Sequence, residues 1–307
     1  MNFQQLRIVR EAVRRNFNLT EVAAALYTAQ SGVSKHIKDL EDELGVELFV
    51  RRGKRLLGLT DPGKELAVIV ERMLLDAKNL KGLAEQFAGA DLGRLTIATT
   101  HTQARYALPP VITRFKREYP RVQLVLLQGS PSEIVALLQS GEADIGIATE
   151  ALDGIDAFAT FAFYQWRHAV VVPDGHALAQ RSTLELAALA EYPLITYHDG
   201  FTGRGRIDAT FAAAGLAPDI VLSALDADVI KTYVQVGLGV GIIASMAFEP
   251  QRDQGLRLLA AEHLFRPNTT RIAVRRGHFL RGFAYRFLQE CVPALTEKNV
   301  REAVAPE

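Results

Sequence analysis

Between Ala23 and Arg51 the chain reads AAALYTAQSGVSKHIKDLEDELGVELFVR. Val33, Ile37, Leu40 and Leu44 recur at steps of 4, 3 and 4, the apolar stripe of one helix. Gly45 follows the last of them and suits a left-handed helix cap. Upstream, Asn18 or Thr20 can cap a shorter helix that turns Val22, Ala23 and Leu26 inward. Tyr27 to Gln30 leaves room only for a turn between the two. Two helices, a turn of about four residues and a second helix with a polar outer face make a helix-turn-helix. Phe3, Leu6, Val9 and Val13 predict a further helix before it.

The outer face of the second helix carries Gln30, Ser31, Ser34, Lys35 and Lys38, with Thr28 in the turn. Such groups reach base edges and phosphates in a major groove, or simply form a solvated face; periodicity alone admits both. The next segment favours DNA. Glu47 to Thr60 reads as two short strands with Arg51, Arg52, Gly53, Lys54 and Arg55 at the bend, a basic wing suited to the phosphate backbone. Residues 1–60 hold ten basic and seven acidic residues, whereas the whole chain of 307 residues balances 35 against 35. A uniformly basic coat protein is therefore excluded, and a local basic face is not.

Asp61 to Phe87 predicts one long helix with Pro62 in its first turn. Its apolar stripe, from Leu66 through Met73, Leu80 and Leu83 to Phe87, is too long to bury within a small head, so a partner helix from a second copy is expected, packing on its own C-terminal domain being the alternative. Residues 89–93 read as a hinge. Beyond it, residues 94–292 alternate strand-like and helix-like segments, which predicts mostly parallel sheets with helices on both faces. The segments 95–99, 122–127, 145–149, 169–172, 194–197, 220–224, 240–244 and 271–274 are the expected strands.

In such folds ligands lie at the carboxyl ends of strands, beside helix N-termini. Those points hold Thr99-Thr100-His101-Thr102-Gln103, Gln128-Gly129-Ser130-Pro131-Ser132, Ala148-Thr149-Glu150 and Phe201-Thr202-Gly203. Neutral hydroxyls and amides suit a small oxyanion or carboxylate held by hydrogen bonds. Catalytic patterns are missing. His198-Asp199 with Ser182 or Ser245 lacks a nucleophile elbow. Gly237-Leu238-Gly239-Val240-Gly241 follows a helix and enters a strand, the reverse of a dinucleotide loop. The seven histidines show no metal spacing, and the lone Cys291 makes no internal disulfide. No catalytic residue, metal or cofactor is expected. The N-terminus has no secretory pattern, and the apolar stretch 232–248 is too short and glycine-rich to span a bilayer, so a cytoplasmic protein is expected.

The run Ala23-x-x-Leu26-x-x-x-Gln30-Ser31-x-Val33-Ser34-x-x-Ile37-x-x-Leu40-Glu41-x-x-Leu44-Gly45-x-x-Leu48-Phe49-x-Arg51 resembles the N-terminal signature of LysR-type transcriptional regulators. Ala29 departs from it, where most members have serine or threonine. The segments 99–109, 129–131, 148–152, 201–204 and 226–233 resemble the CysB-type branch, activators of the cysteine regulon and their paralogues for sulfonate use. The resemblance implies a winged helix-turn-helix (1–60), a linker helix (61–90) and a two-lobed α/β effector domain of periplasmic-binding-protein type (91–307). Its lobes would be 91–163 with 267–307, and 164–266. It further implies a homodimer or homotetramer, promoter DNA and RNA polymerase as partners, and sulfate or an acetylserine as effector. DNA-contacting residues would be Thr28, Gln30, Ser31, Ser34, Lys35, Lys38, Arg51, Arg52, Lys54 and Arg55. Effector-binding residues would be Thr100, Thr102, Gln103, Ser130, Thr149, Trp166 and Thr202.

Overall fold

The computed structural model describes residues 1–53, 55–89 and 92–305. The chain divides into two compact units, Met1–Ala84 and Glu85–Glu307. Lys54 of the expected wing and Ala90 and Asp91 of the expected hinge lie outside the described residues.

The first unit holds α1 (Phe3–Arg14), α2 (Leu19–Ala25) and α3 (Gln30–Leu44), followed by a hairpin of β1 (Phe49–Arg52) and β2 (Arg55–Leu59). Asn18, not Thr20, caps α2: its side-chain oxygen accepts the N–H of Thr20 at 3.1 Å and of Glu21 at 3.4 Å. Gly45 ends α3 at φ 71°, as its position after the apolar stripe requires. Val33, Ile37 and Leu40 bury fully against Val22, Ile8 and Phe49, each contributing about 1.5–3 kcal/mol by leaving water. The stripe of α1 differs from its simple reading. At about 100° per residue the buried arc runs from Ile8 through Ala12 and Val9 to Leu6, and Phe3 lies opposite it, 51% exposed. Leu44 is also exposed, where the arc of α3 runs out.

Helix α4 (Asp61–Ala88) has 28 residues and a length of about 42 Å. Its apolar residues split into two sets. Val70 and Leu74 are buried in the core of the first unit, with Leu66 and Met73 packed on it. Leu80 is 68% exposed, and Ile69 and Leu83 are exposed as well. Met73 therefore belongs to the head's own packing and not to the free stripe.

The second unit contains two five-stranded sheets. The first has the order β4-β3-β5-β12-β6, from β3 (Gly93–Thr99), β4 (Val122–Gln128), β5 (Ile145–Ala148), β6 (Phe158–Trp166) and β12 (Asn268–Arg275). The second has the order β11-β7-β10-β8-β9, from β7 (His168–Pro173), β8 (Leu194–Tyr197), β9 (Ile220–Ala224), β10 (Val240–Ala244) and β11 (Leu256–Leu259). Helices α5 (Leu108–Glu118), α6 (Pro131–Gln139), α10 (Gly282–Cys291) and α11 (Glu297–Val304) belong with the first lobe. Helices α7 (Leu186–Ala190), α8 (Arg204–Ala213) and α9 (Ala227–Gln235) belong with the second.

The sheets are mixed, not mostly parallel. Within each, three strands run parallel and two pair antiparallel. The strands β6 and β11 and the helix α11 have no counterpart in the pattern of the sequence. The strand β6 alternates burial only weakly, because α11 covers part of one face. The chain crosses between lobes at Arg167, three residues beyond the expected boundary, and returns before Asn268. Among the described residues no helix is long and apolar enough to cross a membrane.

Candidate functional site

In the first unit, α3 presents Gln30, Ser31, Lys35 and Lys38 on its exposed side, with Ser34 half-buried among them. Thr28, in the turn before it, is exposed too. Arg52 and Arg55 are exposed and oppose one another across the hairpin. Arg51 departs from the phosphate role expected of it. Its guanidinium is engaged by the buried carboxylate of Glu41. Glu41 also accepts the backbone N–H of Leu48 at 2.8 Å and of Phe49 at 3.2 Å. A charge from the last turn of α3 thus satisfies two backbone donors at the start of β1 and holds the hairpin to that helix. The alternation of β1 points Arg51 back toward α3, where a buried carboxylate needs a cation.

In the second unit, the residues after β3, β5 and β8 converge. Thr100, Thr102 and Gln103 are almost fully buried after β3. Gln103 opens a π-helical turn (Gln103–Ala107) and accepts the hydroxyl proton of Tyr164. Burial pushes that tyrosine up to about 12, so it remains a donor at neutral pH. Thr149 meets Thr270 at 3.3 Å, and Trp166 Nε1 donates to the same Thr270 hydroxyl at 3.1 Å. Trp166 and His168 flank the lobe crossing with their rings 5.0 Å apart, edge to face.

Thr202 and Gly203 have positive φ, 42° and 74°. The first is uncommon for a threonine and marks a backbone held by its surroundings. Gly203 is required there, since a Cβ would lie 2.6 Å from the His168 ring and 2.7 Å from Asn268 Oδ1. The Thr202 carbonyl bonds His168 Nε2 at 3.1 Å. The Gly203 N–H donates to Glu150, across the two lobes. Burial drives Glu150 up to about 7 although it accepts the N–H groups of Gly203 and Thr202. Burial likewise brings His168 down to about 4, so its ring is neutral at pH 7.

Ser130 is turned to another task. Its hydroxyl caps α6, accepting the Glu133 N–H at 3.2 Å and donating to the Glu133 carboxylate at 2.9 Å. Of the other six expected effector residues, Thr149, Trp166 and Thr202 lie at the lobe crossing and Gln103 bonds Tyr164 beside it, while Thr100 and Thr102 are buried after β3. The neighbours Glu150, Tyr164, His168, Asn268 and Thr270 complete the crossing. Of these only Glu150 lay within a quoted motif; the rest are single polar residues in strands, which no local pattern distinguishes. Thr149, Glu150, Gly203, Arg206 and Asn268 line one cleft of about 330 Å³.

A second set of contacts joins the lobes. The Tyr106 hydroxyl donates to Asp228 at 2.7 Å, Arg105 pairs with Asp228 at 2.8 Å, and Lys231 Nζ donates to the Tyr106 hydroxyl oxygen at 3.2 Å. His101, Asp226 and Asp228 bring ligand-type atoms within 4.8 Å of one another. Asp228 is already compensated by two cations, and Asp226 caps α9 through the Val229 N–H at 2.9 Å, so the group is a tie between elements.

Residues 3–64 match the model of the bacterial regulatory helix-turn-helix protein, lysR family, and residues 88–296 match the LysR substrate binding domain. The chain is 59% identical over 308 residues to the HTH-type transcriptional regulator SsuR of Burkholderia cenocepacia, covering 99% of this chain and 100% of that one. It is 52% identical over 307 residues to the regulator CysB of the same organism, covering 100% and 98%. Among solved structures, the cofactor-binding domain of the Cbl transcriptional regulator superposes with a TM-score of 0.68 at 48% identity, covering 70% of this chain and 95% of that one. A polar recognition helix with a basic hairpin, a two-lobed unit with polar groups at its junction, and these matches over nearly the whole length agree: the chain belongs to the LysR family of bacterial helix-turn-helix transcriptional regulators.

Proposed function

We propose that the protein is a cytoplasmic, promoter-binding regulator of sulfur-assimilation and cysteine-biosynthesis genes, not an enzyme, and that it senses a small sulfur-pathway metabolite, an acetylserine or sulfate, at the lobe junction. The observation that carries this is the set of buried polar residues Thr100, Thr102, Gln103 and Thr202, with half-buried Thr149, on segments that also carry the resemblance to the CysB-type branch. A small anion there would be held by neutral donors from both lobes. Ligand contact with both lobes would favour one lobe arrangement over another, and only such differential contact shifts an equilibrium between states.

DNA recognition is assigned to Gln30, Ser31, Ser34, Lys35 and Lys38 with Thr28, and phosphate contact to Arg52 and Arg55. The exposed residues of α4 would pair two copies into a dimer, and dimers into a tetramer, with RNA polymerase as a partner at activated promoters. The chain shares more with SsuR than with CysB of one organism, 59% against 52%. That difference favours a second reading, a paralogue acting on organosulfonate or sulfate-ester use and responding to sulfate or activated sulfate. Calorimetry of the full chain against O-acetylserine, N-acetylserine, sulfate, thiosulfate and adenylyl sulfate, with operator gel shifts at each ligand, tests both. Heat from none of the five ends the sulfur assignment; heat from an acetylserine alone selects the first reading, and from adenylyl sulfate alone the second.

A further inference from the structure

The last turn of α4 belongs with the second unit, whose boundary falls before Glu85. One buried side chain holds it there. Arg281, at the N-cap of α10 and 9% exposed, donates to the Glu85 carbonyl at 3.3 Å and to the Gly89 carbonyl at 3.0 Å. It also reaches the Glu85 carboxylate at 3.2 Å and lies over the Phe283 ring, 4.8 Å from its centroid. That carboxylate is 65% exposed and contributes little, so the two fixed carbonyls do the holding. The tie runs the other way too. Arg281 gives α10 no side-chain cap, and the Gly282 N–H in its first turn donates to Gln86 Oε1 at 3.3 Å. The electronegative end of α4 thus meets a buried cation and the electropositive end of α10, an arrangement that both helix dipoles favour. Gly93 packs into the same joint, since a Cβ there would lie 2.4 Å from Arg281 Nη1 and 3.1 Å from Phe283. The two glycines that bound the expected hinge at 89–93 are therefore both engaged by Arg281, one bonded to it and one packed against it.

We propose that Arg281 is a positioning residue that locks the end of the long helix α4 to α10. The segment after α4 is then no free hinge, and a change at the DNA-reading head reaches the first lobe through this joint. A loosely jointed helix end would absorb such a change, whereas coupling is carried by rigid elements and the bonds that fasten them. A guanidinium this far from water keeps its place only while its acceptors stay in theirs, which makes the joint stiff. Arg281 is neither among the DNA-facing residues nor at the lobe junction, and the inference needs no assumption about the effector.

The test is hydrogen exchange on the full chain, free and bound to a DNA duplex that the chain itself selects from a random-sequence pool. Arg281→Met keeps an apolar stem against Phe283 and removes both bonds to the carbonyls. A bond from a charged donor is worth about ten- to a hundredfold in an equilibrium, so exchange over residues 85–89 should quicken by about tenfold or more. Glu85→Gln should quicken it by at most about fivefold, because its carboxylate is exposed. Arg281→Lys keeps the cation but loses the planar fork, and should fall between the parent and Arg281→Met. In the parent, binding the duplex should change exchange over residues 281–288 by about twofold or more. In Arg281→Met that remote change should vanish while protection of α3 and the hairpin by the duplex persists. A contact that only stabilises the fold would behave otherwise: its loss would quicken exchange throughout and leave the remote response to DNA in place. Should Arg281→Met fail to fold, Arg281→Lys and Gln86→Ala carry the same two readouts, each with a partial effect. Unchanged exchange over 85–89 in these variants overturns the inference. So does a parent whose residues 281–288 ignore the duplex, or an Arg281→Met chain in which they still respond to it.

Discussion

Removing the Glu41 carboxylate should unfasten the hairpin from the recognition helix. The group is 8% exposed and accepts the N–H of Leu48 and Phe49 at 2.8 and 3.2 Å, both on residues with 0% exposure. Glu41→Ala leaves two buried donors unpaired, each costing about 1–3 kcal/mol. It also frees Arg51, whose side chain is 36% exposed and can return to water, so that part of the loss is small. The expected destabilisation of the first unit is about 2–6 kcal/mol. Glu41→Gln retains one oxygen for the two donors and loses only the charge on Arg51, costing about 1 kcal/mol. Urea denaturation followed through the first unit's transition measures both, and operator titration at saturating folded fraction measures whether the hairpin still docks. With the hairpin loosened, Glu41→Ala should lose operator affinity even where the unit is folded, and Glu41→Gln should keep most of it. The reasoning fails if Glu41→Ala shifts stability by less than about 0.5 kcal/mol, the range of an unremarkable surface substitution.

Arg52→Gln and Arg55→Gln should each lower the slope of log K against log salt by about one, whereas Arg51→Gln should leave that slope unchanged, because its cation already faces Glu41. Leu80→Asp and Leu83→Asp place charges in the exposed stripe of α4, and sedimentation should show smaller species with weaker operator binding; Met73→Asp should instead unfold the head, since Met73 packs on its core. Thr100→Val and Thr202→Val each remove a hydroxyl donor at constant shape and should weaken effector binding by about ten- to a hundredfold in calorimetry, with ligand-free DNA binding kept. The pH dependence of stability has two opposed parts. His168, held down at about 4, stabilises above its unfolded value of 6.5 and loses that contribution as pH falls toward 4. Glu150, held up at about 7, stabilises below its unfolded value of 4.5 and loses that contribution as pH rises through 7. The two nearly cancel between pH 4.5 and 6.5, so Glu150→Gln should expose an acid-labile protein over that window; a thermal-melt series with no new pH slope contradicts the assignment.

Sequence alone determined what depends on near neighbours along the chain. The stripe of Val33, Ile37 and Leu40, the glycine that ends α3 and the turn before it are local, because a helix repeats every 3.6 residues and its caps act within one turn. The long helix α4 and the threonines after β3 were legible for the same reason: periodicity and polarity at a strand end are visible in a short window. Tertiary structure decided the rest. Arg51 reads as a wing cation until β1 turns it onto Glu41, ten residues back. The strand β6 shows no clean alternation, since its pairing with β12, more than a hundred residues away, is what makes it a strand. Glu150, His168, Gly203 and Asn268 come from four elements and meet only where the chain crosses between lobes. Hydrogen bonds reach about 3 Å and carry no trace of sequence separation. Which groups meet at that junction is settled only once both lobes are folded around it.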